Sequence, residues 1–122
     1  MKKQYKYRFY LKPAEKSNIL SIKDILEKNL SKRYTIKQLA KIALLNEFKL
    51  KNGFRLLFKT SIYSFHTELR IEKAKSMLKE TDLLLLDIAF EIGYESVSSF
   101  IRAFKKIAGT TPATYRRGFL IE

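Results

Sequence analysis

Two stretches of this chain carry the same apolar spacing about fifty residues apart, and that duplication limits the fold more than any other feature. Leu39-Ala40 matches Ile88-Ala89 at an offset of 49, while Leu50, Gly53, Phe54, Arg55 and Leu57 match Phe100, Ala103, Phe104, Lys105 and Ile107 at an offset of 50. The one-residue slip falls between two short apolar segments, where a turn absorbs a change of length most cheaply. A unit that occurs twice in 122 residues must be small: two helices and the turn between them.

The apolar periodicity is helical almost throughout. After Pro13, the recurrence of Ile19, Ile22, Leu26 and Leu30 predicts an amphipathic helix over about residues 14–30. Thr35-Ile36-Lys37-Gln38 has the capping-box form, with Thr35 accepting from the Gln38 amide and the Gln38 side chain accepting from the Thr35 amide. The short helix it starts would carry Ile36, Leu39, Ala40 and Ala43 inward and end near Leu44, and Asn46 would cap the next, over about residues 47–58. A longer helix over residues 62–79 would bury Ile62, Phe65, Leu69, Met77 and Leu78 and expose Glu68, Arg70, Glu72, Lys73, Lys75 and Lys79. Segments 84–90 and 97–108 follow, and Thr111 before Pro112 starts a last short helix, because Pro at the first helical position removes no needed donor.

Residues 1–12 alone alternate, with Tyr5, Tyr7, Phe9 and Leu11 against Lys6, Arg8, Tyr10 and Lys12, the period of a half-buried strand. No second strand follows to pair with it. Residues 1–16 are therefore read either as a basic tail or as the final strand of an N-terminal sensor domain absent from this chain, and residues 119–122 as a C-terminal tail. The expected fold is all-α, one domain of about seven helices.

Composition narrows the function. There is no Cys and His66 is the only His, so disulfides, thiolate zinc sites and multi-histidine metal sites are excluded; neither a metal nor a cofactor is expected. No apolar run approaches the roughly 20 residues that cross a bilayer, and no apolar signal region follows Met1-Lys2-Lys3. The reading is a soluble, cytoplasmic chain with no membrane partner. A net charge of +13, from 25 Lys+Arg against 12 Asp+Glu, points to a polyanionic partner. Residues 1–60 hold 16 basic and 4 acidic side chains and residues 61–122 hold 9 and 8, yet residues 96–118 are purely basic, with Arg102, Lys105, Lys106, Arg116 and Arg117. Two basic surfaces are implied. Catalysis would need polar groups converging in a pocket, whereas His66 falls on the 62–79 helix as a surface or partly packed residue, and the acids mostly flank Lys or Arg. The chain is not read as an enzyme.

A short helix, a tight turn and a second helix make the helix-turn-helix plan, in which the second helix can enter the major groove of DNA. Ala40 and Ala89 are small enough for two helices to cross closely, and Gly93 gives the backbone freedom that a sharp turn demands. With 50, 53, 54 and 57 turned inward, the opposite face of the first such helix is Phe48, Lys51, Asn52 and Arg55; with 100, 103, 104 and 107 inward, that of the second is Ser98, Ile101, Arg102 and Lys105. Arg and Lys can donate twice to guanine, Asn can pair with adenine, and Ile can touch a thymine methyl. Ser96 at a helix start suits a phosphate, and Lys106 adds a sequence-independent backbone charge. The connecting helix of 18 residues, at about 1.5 Å per residue, spans roughly 27 Å. With its turns it approaches the roughly 34 Å between successive major-groove faces. A stand-alone basic module binding RNA or acidic partners is the alternative, although RNA readers commonly stack bases on sheet aromatics and the aromatics here fall at helix-core spacing.

Ile88-Ala89-Phe90-Glu91-Ile92-Gly93-Tyr94, then Ser98, Phe100, Arg102-Ala103-Phe104-Lys105-Lys106, Gly109-Thr110-Thr111-Pro112 and Tyr115-Arg116-Arg117, resemble the signature of the AraC/XylS family of bacterial transcription regulators. Arg70-Ile71-Glu72-Lys73-Ala74 resembles that family's linker helix, and the likeness covers about residues 17–118. It implies two helix-turn-helix units, about residues 35–58 and 84–108, joined by a linker helix of about 62–80 and binding promoter double-stranded DNA to activate or repress transcription. RNA polymerase would be a further partner, a small-molecule effector would bind an N-terminal domain outside this chain, and this chain alone would be a monomer. Carried over by position, the DNA contacts are Phe48, Lys49, Lys51 and Asn52 in the first unit and Val97, Ser98 and Arg102 in the second. The sequence departs from the pattern at Leu44 and Lys59, where Gly is usual, and at Leu84, where a Ser or Thr cap is common and Asp82 is the substitute. Residues 45–54 further resemble the subgroup that responds to iron–siderophore complexes.

Overall fold

The computed structural model describes residues 9–119, and these residues form helices joined by short turns. The helices are α1 (Pro13–Lys28), α2 (Ile36–Ala43), α3 (Glu47–Phe58), α4 (Ile62–Glu80), α5 (Leu85–Glu91), α6 (Val97–Ala108) and α7 (Pro112–Arg117). Among the described residues, no helix is long and apolar enough to cross a membrane.

Most helices begin where a side chain accepts from an amide that the first turn leaves unpaired. The Thr35–Gln38 capping box closes with both hydrogen bonds, at 2.9 and 3.0 Å. Asn46 accepts from Lys49 N at 2.7 Å, Ser61 from Ser64 N at 3.1 Å, Ser96 from Ser99 N at 3.1 Å and Thr111 from Thr114 N at 3.2 Å. The start of α5 differs from expectation. Leu84 occupies the cap position and offers no side-chain bond, and Asp82 does not replace it. The loop before α5 is held from outside instead: the Arg116 guanidinium donates to the carbonyls of Leu78, Thr81 and Leu83 at 3.1, 3.0 and 2.6 Å.

Two cores form, one per unit. The first gathers Ile19, Ile22 and Leu26 of α1, Leu39, Ala40 and Ala43 of α2, Leu50 and Phe54 of α3, and Ile62 of α4. The second gathers Ile71, Ala74 and Leu78 of α4, Ile88, Ala89 and Ile92 around α5, Tyr94, and Phe100 and Phe104 of α6. The linker helix is thus shared, its first turn closing one core and its second half opening the other.

This sharing shows that the duplication is longer than the apolar spacing suggested. Ile19, Ile22 and Leu26 recur as Ile71, Ala74 and Leu78 at an offset of 52, in equivalent places. At the other end, Phe65 meets Phe54 edge-on at 5.4 Å and Tyr115 meets Phe104 edge-on at 5.5 Å, fifty residues on. His66 and Arg116 are likewise equivalent, and each bonds the carbonyl that follows the preceding long helix, Asn29 O at 3.0 Å and Thr81 O at 3.0 Å.

The turn inside each unit is closed the same way. Leu45 N donates to Ala40 O at 3.0 Å and Tyr94 N to Ala89 O at 2.8 Å, the six-residue closure of a helix end that places the preceding residue in the left-handed region. Those residues are Leu44, with φ 59°, and Gly93, with φ 96°. The second helix of each unit ends alike, on Lys59 with φ 62° and Gly109 with φ 82°. The first unit adopts with L side chains what the second adopts with glycine.

Four expectations are corrected. Of the proposed strand, residues 1–8 lie outside the described residues, and residues 9–12 form none: Leu11 packs on the first core and Phe9 lies edge-on to Phe48 at 6.1 Å. Residues 13–16, assigned to the tail, are the first turn of α1. Arg70, expected on the exposed face of the linker, is only 2% exposed, and His66, expected at the surface or partly packed, is buried at 5% exposed. The reason is geometric: α4 also packs against α1 and α3, so a side that reads as polar and solvated is covered by residues 29–34. Ile107, expected inward, is 38% exposed at the last turn of α6.

Candidate nucleic-acid interface

On α3, burying Leu50, Gly53 and Phe54 turns Phe48, Lys51, Asn52 and Arg55 outward. Gly53 lets α1 approach closely, because a Cβ there would push against Ile19 Cδ1 and force that side chain to shift. Phe48 is 67% exposed, and the Asn52 side-chain amide donates back to Phe48 O at 2.8 Å. Lys49 departs from the set: it lies on the flank that faces α1 and pairs with Glu15 at 3.0 Å. The bond to Lys12 N, then that to Lys49, holds the Glu15 carboxyl below its ordinary range.

On α6, burying Phe100 and Phe104 leaves Ser98, Arg102, Lys105 and Lys106 exposed, with Val97 and Ile101 half-buried beside them. The Ser96 hydroxyl is used as the cap, accepting from Ser99 N and donating to Ser99 Oγ at 3.1 Å. Among the described residues, none of Lys51, Arg55, Arg102, Lys105 and Lys106 is in an ion pair. Two cationic helix faces are therefore open to an external anion, each backed by a fully buried Phe.

The two units are fastened by groups outside both faces. Arg33, in the α1–α2 loop, donates through Nε and Nη2 to Gly93 O at 3.0 and 2.9 Å and lies 4.8 Å from the Tyr94 ring. Behind it, Arg70 donates to Leu30 O at 2.7 Å and to Lys32 O at 3.4 Å, and its Nη2 meets His66 Nδ1 at 2.9 Å. Guanidinium can only donate, so Nδ1 accepts and the proton of the neutral ring is on Nε2, which donates to Asn29 O. Burial first, and then the charge of Arg70, pushes the His66 pKa down to about 4. Burial and the neighbouring Arg33 bring Arg70 down to about 10, so it stays charged at neutral pH. Sequence reasoning missed this fastening. Only the register of His66 on Arg116, fifty residues apart, could have hinted at it.

Comparison with known proteins agrees with this architecture. A helix-turn-helix domain model matches residues 39–118. The HTH-type transcriptional regulator YobQ of Bacillus subtilis is 31% identical over 107 residues, 88% of this chain and 44% of that protein. The C-terminal domain of the two-component response regulator yesN from Fusobacterium nucleatum superposes with a TM-score of 0.74 at 32% identity, covering 79% of this chain and 94% of that one. The DNA-binding domain of AdpA, crystallised with a target DNA, has the same fold, with a TM-score of 0.79 at 20% identity over 84% of this chain and 92% of that one. The chain spans less than half the length of the curated relatives it matches first. With two matched helix-turn-helix units, a shared linker helix and relatives of this kind, the chain belongs to the AraC-type helix-turn-helix family of transcription regulators.

Proposed function

We propose that the chain binds promoter DNA sequence-specifically, with α3 and α6 in successive major grooves. The observation that carries this reading is the equivalence of Asn52 and Arg102: fifty residues apart, each is exposed at the centre of its helix, opposite a fully buried Phe54 or Phe104. Asn52 and Arg102 are the base readers in this account, since Asn suits adenine and Arg suits guanine. Phe48, Ser98 and Ile101 supply closer, apolar or short polar contacts, and Lys51, Arg55, Lys105 and Lys106 neutralise phosphates. Lys49, tied to Glu15, contributes less than its position suggests. The linker helix of 19 residues spans about 28 Å, which suits grooves one turn apart.

The chain then acts as a monomeric reading head of a larger cytoplasmic regulator, without catalysis of its own; effector sensing and contact with RNA polymerase belong to that larger assembly. Arg102→Ala and Lys106→Ala separate the two kinds of contact. Against a duplex selected by the wild-type chain from a random pool, Arg102→Ala lowers the ratio of specific to random-sequence binding by about tenfold. Lys106→Ala weakens both about equally and lowers the salt slope by about one unit. An unchanged ratio in Arg102→Ala removes it as a base reader.

A further inference from the structure

Between the linker helix and the second unit runs a cleft that the recognition faces do not account for. Ser96, Ser99, Arg102 and Lys106 line it from α6 and its cap, Tyr63 from α4, and Arg33 from the loop of the first unit; Glu95 is the only acid among its lining residues. Its three cations come from two different units, and none is in an ion pair among the described residues.

Arg33 is the informative member. Its two bonds to Gly93 O and its place over the Tyr94 ring fix the guanidinium at the edge of the cleft. The anchor is closely packed, since a Cβ on Gly93 would lie 2.6 Å from Ser31 O. A fixed guanidinium, a lysine ammonium and hydroxyls around an open cleft suit an anion with several acceptor oxygens. Neither an apolar ligand nor a lone metal ion would satisfy them. The cleft borders the outward face of α6 through Arg102 and reaches the first unit through Arg33.

We infer that this cleft holds the phosphodiester backbone of the DNA strand that crosses between the two grooves, with Arg33, Tyr63 and Lys106 as its contacts. The inference rests on the two-groove reading above and adds Arg33 and Tyr63, which lie outside either recognition helix. Phosphate contacts of this kind set register without reading sequence.

The test uses the selected duplex with single neutral methylphosphonates placed in turn at each phosphate between the two grooves. At one or two positions the wild-type chain loses about tenfold in affinity. Tyr63→Phe, Lys106→Ala and Arg33→Lys each weaken binding to the unmodified duplex and lose little more at those positions; only Lys106→Ala, which removes a charge, also lowers the salt slope, by about 0.9. Tyr63 is 72% exposed, so its variant keeps the fold, and thermal melting checks Arg33→Lys. Penalties from variant and methylphosphonate that multiply at every position, or no sensitive phosphate between the grooves, overturn the inference while leaving the groove reading intact. Micromolar binding of inorganic phosphate that duplex DNA does not displace makes this a small-anion site and overturns it as well. A wild-type chain that enriches no sequence in the selection removes both readings.

Discussion

His66 is held by two hydrogen bonds that ask opposite roles of its ring, and only the neutral form fills both. Its folded pKa of about 4 lies below the ordinary 6.5, so the unfolded chain takes up the proton first. The stability it contributes is full above pH 6.5 and is lost as pH falls from there towards 4, in all roughly 3 kcal/mol at about 1.4 kcal/mol per unit. Urea melts at pH 7 and pH 4.5 should show a clear loss for the wild-type chain, and a smaller one for His66→Gln, whose amide can donate and accept at the same two partners without titrating. Equal losses in both would place the acid sensitivity elsewhere. At this scale the sequence was least legible. Arg70 and Lys73 look alike on a helical wheel, yet one is buried under carbonyls of residues 30 and 32 and the other is in water, because the covering loop is distant in sequence.

Helices were read most reliably where their signals are local. Thr35, Asn46, Ser96 and Thr111 each cap as their side chains dictate, since a cap involves only the next three residues. The start of α5 was misread for the complementary reason: it is held by Arg116, more than thirty residues on. The helix ends carry a further consequence of the duplication. Leu44 and Lys59 take a left-handed backbone that disfavours a Cβ by about 1–2 kcal/mol. Leu44 is 83% exposed and has little packing to lose. Leu44→Gly and Lys59→Gly should each raise stability by about 0.5–1 kcal/mol in denaturant melts, after allowing for the extra freedom of Gly in the unfolded chain. The reverse change separates the two glycines of the second unit. Gly109 has open space around it, so Gly109→Ala should cost only the backbone term of about 1 kcal/mol. Gly93→Ala should cost roughly 2 kcal/mol or more, because its Cβ would also press on the Ser31 backbone. Similar losses in the two would mean that the joint at Gly93 is loose.

At the scale of the whole molecule, two similar units become one reading head because α4 serves both cores and the Ser31–Arg33 segment closes on the Gly93 turn. The fold class and the two outward faces were legible in the sequence, since buried Phe54 and Phe104 fix what lies opposite them. The joint was not, because no periodicity reports which loops meet. Units joined in this way imply a set spacing between α3 and α6, the two helices proposed to enter DNA. Hydroxyl-radical footprinting of the selected duplex with the wild-type chain, Asn52→Ala and Arg102→Ala tests this most directly. Two-groove reading predicts two protected patches on one face of the duplex, about one helical turn apart, with Asn52→Ala weakening one and Arg102→Ala the other. A single patch, or both variants weakening the same one, would contradict it.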